Sequence, residues 1–227
     1  MSEDDGEAER RHSQAFSAEV VENEWARKEA EARNGLRQTD ALMDMIDTCL
    51  DPERPFRLRL SMILHLQRLA LDGISAYAGN FRPGGVEIKQ SQHQPPPAHL
   101  VAEYVEDMCD YVNENWEAAS AVHLAAYVMW RLNWIHPFAD GNGRTSRAVS
   151  YLVLCVRLGY RLPGSNTIPY QIAQNRQPYF DAIDAADAAA ANNKLDVSEM
   201  EKLIEGLLAN QLYGVLEDAR GLEGDGT

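Results

Sequence analysis

No stretch of the sequence approaches the roughly 18 uninterrupted apolar residues that a bilayer-spanning helix needs. A membrane protein is therefore not expected. The opening text, MSEDDGEAERRHSQ, lacks the apolar core of a secretory leader, so a cytoplasmic location is expected. Cysteine is scarce: Cys49, Cys109 and Cys155 are far apart, odd in number and without metal-type spacing. That excludes a disulfide framework and predicts reduced, mostly buried thiols. Positive charge is also short, with 21 Lys and Arg against 35 Asp and Glu, a formal net charge of −14. Such a balance argues against nonspecific binding to nucleic acid or to an anionic membrane surface. Strand-like alternation is almost missing; "VEI" at residues 86–88 is its one instance.

What is present is helical text. Apolar residues recur at helical spacing over 18–47, 57–74, 98–116, 120–135, 144–158, 170–175, 178–190 and 197–218. The stretch at 120–135 is apolar nearly all round, which predicts a central buried helix. "DPERP" at 51–55 is a break. Residues 78–97 combine glycines, "VEI" and a triple proline, and predict a loop with a small β-hairpin. With no internal repeat and no long linker, the expectation is a mainly α-helical single domain, residues 19–218, with one β-hairpin flap. An acidic disordered tail is expected over 1–18 and a flexible one over 219–227.

One segment stands apart. Between two strongly apolar helices lies "HPFADGNGRTSR", residues 136–147. Gly141 and Gly143 permit positive φ and let backbone N–H groups converge on a ligand. The N-terminus of the following helix adds unpaired donors and a partial positive charge, a setting for phosphate. Arg144 and Arg147, three apart, emerge on one side of the first turn with guanidinium groups suited to phosphate oxygens. Asp140 is a carboxylate able to hold Mg²⁺ between phosphates. His136 titrates in the range of a general base. Taken singly, each has an ordinary explanation: a core histidine, a turn, surface ion pairs, a packed Phe138. Together within one short stretch they describe an enzyme that takes a proton from a hydroxyl and aims it at a nucleotide phosphate.

The stretch resembles the signature of the Fic (filamentation induced by cAMP) family, H-x-F-x-D/E-G-N-G-R-x-x-R, at every specified position: His136, Phe138, Asp140, Gly141, Asn142, Gly143, Arg144 and Arg147. The resemblance extends over roughly residues 56–190, through "FRPGGVEI" and "RQPYFDAIDAAD". It implies a Fic-like fold and transfer of AMP from ATP to a Tyr, Thr or Ser hydroxyl of a target protein or of the chain itself. By that likeness His136 is the base and Asp140 the Mg²⁺ ligand. Asn142 and the backbone of Gly141 and Gly143 would hold phosphates, Arg144 the leaving diphosphate and Arg147 the γ-phosphate. The kinase-type branch departs from G-N-G-R in this loop; this chain keeps it. Phe180 and Asp187 fall at positions that line the adenosine pocket. Val86 and Ile88, on one face by alternation, are candidates to clamp a target strand against the flap.

Many such proteins are silenced by a glutamate within S/T-x-x-x-E-G/N. Glu22, Glu114, Glu205 and Glu223 precede Gly or Asn, but none has a hydroxyl residue four places earlier; Ser17 misses Glu22 by one. A separate inhibitor protein therefore remains an option, and deletion of residues 1–26 is expected to change activity little. Alternatives stand beside AMP transfer: transfer of another phosphate-containing group, AMP removal, or a non-catalytic nucleotide- or target-binding module.

Overall fold

The structure, a computed structural model, describes residues 13–14, 19–21, 23–89, 91 and 93–224. Among the described residues there are eight α-helices and a single antiparallel pair of two-residue strands, so the mainly helical expectation holds. Among the described residues no helix is long and apolar enough to cross a membrane.

Helix α1 (Glu24–Cys49) starts where the Asn23 side chain accepts a hydrogen bond from the Ala26 N–H at 2.7 Å. Its inner stripe recurs every four residues: Ala30, Asn34, Gln38, Leu42 and Ile46. The two amides on that stripe are buried because each meets a carbonyl of α2 (Leu60–Leu71) or its end. Asn34 Nδ2 donates to Asp72 O at 2.7 Å, and Gln38 Nε2 to Leu66 O at 3.0 Å. α2 begins later than the apolar text suggests, at Leu60. Leu58 is held extended by Asn113, which bonds both its N–H and its carbonyl.

The triple proline leads through a short 3-10 turn (Ala98–Leu100) into α3 (Val101–Glu114). Helix α4 (Ala121–Ile135) is capped by Ser120, whose hydroxyl accepts from the His123 N–H at 3.0 Å. α5 (Asn142–Leu158) is buried continuously from Thr145 to Val156 and is closed by Gly159 at φ 85°. α4 and α5 pack on one another at the centre. α1 and α2 flank α5, while α6 (Ile168–Gln174), α7 (Gln177–Ala191) and α8 (Ser198–Gly224) complete the other side. The core joins α4 residues such as Leu124, Val128 and Leu132 to Val149, Leu152 and Val153 of α5, all at most 1 % exposed. Each such side chain contributes about 1.5–3 kcal/mol by burial.

The flap differs from the sequence expectation. Among the described residues of 78–97 only Glu87–Ile88 (β2) is strand, and it pairs with Ser13–Gln14 (β1), in the register Ser13↔Ile88 and Gln14↔Glu87. Further along the same N-terminal segment, a single antiparallel bridge joins Glu19 and Ser75, and Val20 N donates to Ile74 O at 3.0 Å. Those backbone bonds are why α1 begins at Glu24 and not at residue 18. Residues 13–14 lie inside the stretch expected to be disordered; the rest of 1–18 is outside the described residues. At the other end α8 runs to Gly224, beyond residue 218.

Candidate functional site

The loop between α4 and α5 gathers the candidate residues at one end of the core. His136 ends α4 in the left-handed region (φ 50°, ψ 57°), its N–H donating to Leu132 O. A non-glycine residue there is strained, and here the surroundings fix it. The main fixture is Arg82, itself 3 % exposed. Its Nε donates to His136 O at 2.8 Å and Nη1 to Gly84 O at 2.6 Å, while Nη2 donates to Pro96 O. Arg82 N also donates to Pro137 O at 2.9 Å. One guanidinium therefore ties both ends of the flap to the backbone of the histidine.

The His136 ring is buried, and its Nδ1 lies 3.3 Å from Asn133 O. A carbonyl only accepts, so Nδ1 carries the proton and Nε2 the lone pair. Burial pulls its pKa from 6.5 down to about 3, with Arg82 and His93 adding to the depression against the Asn133 contact. The ring is thus neutral, as a base must be. The sign for stability follows directly. The unfolded chain binds this proton below pH 6.5 and the folded chain only near 3, so stability is lost as pH falls through that window. The slope is about 1.4 kcal/mol per pH unit from this group. Thermal unfolding midpoints measured between pH 7 and 4 should fall less steeply in His136→Gln than in the wild type.

Asp140 Oδ1 accepts from Gly141 N at 2.6 Å, and its backbone carbonyl accepts from Gln67 Nε2 at 3.2 Å. The other carboxylate oxygen, Oδ2, faces Arg27 Nη2 at 3.1 Å and Arg144 Nη2 at 3.7 Å. Among the described residues no cluster of three or more metal-type side chains occurs. A lone carboxylate fits Mg²⁺, which is commonly held by one or two carboxylates plus nucleotide phosphates and water.

Gly141 sits at φ 80°, and a Cβ there would lie 2.4 Å from Leu71 Cδ2, so backbone and space both demand glycine. It precedes α5 as a cap without a side chain, which leaves the N–H groups of the first helical turn available to an anion. The Asn142 side-chain amide is engaged by Phe138, accepting from its N–H at 2.9 Å and donating to its carbonyl at 2.8 Å, and so braces the loop. Gly143 has room for little else: a Cβ would stand 3.2 Å from Arg147 Nη1.

Arg144 lies 3.7 Å from Glu31 as well as from Asp140. Arg147 is buried, its guanidinium carbon 5.8 Å from the Tyr179 ring centroid, and desolvation lowers its pKa. Tyr179 is braced in turn: Asn133 Nδ2 donates to Tyr179 OH at 2.7 Å and to Ser146 Oγ at 2.9 Å. Phe180 and Asp187 lie two turns apart on α7, where Asp187 Oδ1 accepts from Trp130 Nε1 at 2.8 Å. On the flap, Val86 is 8 % exposed and turned inward, which leaves Ile88, half-buried, as the apolar side chain at the strand.

Four supports escaped the sequence: Arg82, Gln67, the Asn133–Ser146–Tyr179 brace, and the charges Arg27 and Glu31 of α1. Gln67 had a signal, a glutamine on the apolar face of α2, which here also accepts from Gly79 N. Arg82→Met should leave three carbonyls unpartnered and lower stability by about 2–4 kcal/mol. Arg82→Lys should recover only part of it, because an ammonium has no fork. Chemical denaturation of the two variants checks this.

Residues 57–154 match the model of the Fic/DOC family. A protein adenylyltransferase Fic of Drosophila willistoni is 30% identical over 135 residues, 59% of this chain and 26% of that protein. Protein adenylyltransferase fic-1 of Caenorhabditis briggsae is 29% identical over 123 residues, 53% of this chain and 24% of that one. The chain thus spans about a quarter of these relatives. In fold it is similar to Fic-1 of C. elegans (residues 134–508), with a TM-score of 0.62, 23% identity and coverage of 90% of this chain and 56% of that one. It is also similar to the Bartonella tribocorum effector BepC, solved with AMPPNP, with a TM-score of 0.55, 13% identity and coverage of 85% and 94%.

Proposed function

We propose, from the match of residues 57–154 to the Fic/DOC family model, that the chain transfers AMP from ATP to a hydroxyl side chain of a protein. The observation that carries this reading is a buried, neutral histidine beside an uncapped helix N-terminus that bears two arginines. In the reaction the hydroxyl oxygen forms a bond to the α-phosphorus, the bond from that phosphorus to the β-phosphate oxygen breaks, and diphosphate leaves. His136 Nε2 takes the hydroxyl proton. The N–H groups of Asn142 and Gly143 and the guanidinium of Arg144 stabilise charge gathering on the phosphates, and Arg147 receives the γ-phosphate. Asp140 Oδ2 would hold Mg²⁺, whose charge when bound neutralises the phosphate oxygens. Phe180 and Asp187 would border the adenosine, and the flap edge at Ile88 would align the target segment as an added strand.

Incubation with ATP labelled at either the α- or the γ-phosphate, in the presence of cell proteins, tests the reading. Label from the α-position alone on protein is the expected result. Label from the γ-position means phosphoryl transfer, and no label from either means a binding module; both overturn the proposal.

A further inference from the structure

The edge of the flap already has an occupant. β2 is paired antiparallel with Ser13–Gln14, and the chain then runs on to bond Ser75 and Ile74 through Glu19 and Val20. A turn into α1, Arg27 donates to Asp140 Oδ2 at 3.1 Å and also pairs with Glu19 and Glu31. One continuous N-terminal segment therefore touches the flap, the loop after α2 and the carboxylate of the phosphate loop. We infer that Ser13–Gln14 is an intramolecular competitor for the target: it fills, by backbone pairing, the flap edge that an extended target segment would use. This rests on the proposed role of the flap edge in target docking.

The chemistry of the contact supports that assignment. Strand addition is read mainly through main-chain bonds, so the chain's own arm and a foreign segment are interchangeable at the same edge. The described ladder is two residues long, short enough to open without disturbing the helical core.

The test uses the full chain. Ser13→Pro/Gln14→Pro removes both strand N–H groups of the arm and should release it, because proline cannot donate to a ladder. A fluorescent peptide with the sequence of residues 9–20 serves as probe. Binding at least about tenfold tighter to this variant than to the wild type is expected, since the tethered arm competes at a high effective concentration. Adding Ile88→Pro to the variant should abolish it. Equal binding to wild type and variant, no binding to either, or binding that survives Ile88→Pro overturns the inference. Hydrogen exchange on the unaltered chain gives a readout free of folding artefacts. Residues 87–88 should contain a protected amide that 84–85 lack, and uniform rates across 84–88 overturn the pairing. Docking needs no base, so His136→Ala should leave peptide binding unchanged. Absence of AMP transfer by both the unaltered chain and the released variant, with peptide binding as expected, refutes the enzymatic reading alone, whereas transfer without peptide competition refutes this one alone.

Discussion

His136→Ala is expected to reduce AMP transfer by about 10²–10⁴-fold, the usual worth of a positioned general base, while ATP binding stays close to that of the wild type. On the proposed reading the ring acts on the hydroxyl and not on the nucleotide. Its backbone, held by Arg82 at 2.8 Å, is unaffected by the truncation. Initial rates with α-labelled ATP, set beside calorimetric ATP affinity, decide the matter. Transfer near the wild-type rate would remove His136 from the proton path. A parallel loss of ATP affinity would show that the imidazole serves the nucleotide site instead. Because burial keeps the ring neutral down to about pH 3, kcat/KM for the wild type should show no inflection near 6.5.

Gly141→Ala should have the second large effect, on stability and activity together. The new methyl would stand 2.4 Å from Leu71 Cδ2 and 3.4 Å from Cγ, on a backbone at φ 80°. Left-handed strain of about 1–2 kcal/mol and overpacking of about 1–3 kcal/mol together predict a loss of about 2–5 kcal/mol. The loop would shift away from α2, carrying Asp140 and the first turn of α5 with it. Gly159→Ala is the matched control, because its φ of 85° imposes similar strain with nothing within 4 Å of the added methyl. It should cost only about 1–2 kcal/mol and leave transfer intact. Denaturation curves and transfer rates for the two alanine variants separate backbone strain from steric displacement of the loop. If both variants lose activity alike, the Leu71 contact is irrelevant.

These two residues were legible in the sequence because the chemistry is local. From His136 to Arg147 the chain supplies base, carboxylate, glycines and arginines without a gap, and the flanking apolar periodicity predicts the two helices that hold them. What escaped is non-local. Arg82 acts on carbonyls at 84, 96 and 136, and nothing in "FRPGG" announces that an arginine will be buried with three acceptors. The contact of the Asn142 amide with the Phe138 backbone was not legible either, since only the fold brings the two together. The flap's partner was invisible for the same reason. A two-residue strand at 13–14 has no periodicity to read, and alternation in "VEI" predicts a strand without predicting what pairs with it. The expectation that deleting residues 1–26 changes activity little rested on a missing inhibitory motif; that deletion also removes the strand paired with β2, while Arg27 beside Asp140 remains.

The phosphate loop is the covalent joint between α4 and α5, the two helices most fully enclosed by the core. Such a joint cannot soften without separating the pair, and separating the pair is the loss of the whole fold. Warming should therefore leave the base, the glycines and the arginines in register up to the melting transition. Heat inactivation of the chemical step and collapse of the core should coincide on one curve. The β1–β2 pairing at the flap, only two residues long, belongs to a different thermal regime and should open well below it. Over that interval the molecule would hold its reactive groups in order with the edge of the flap bare.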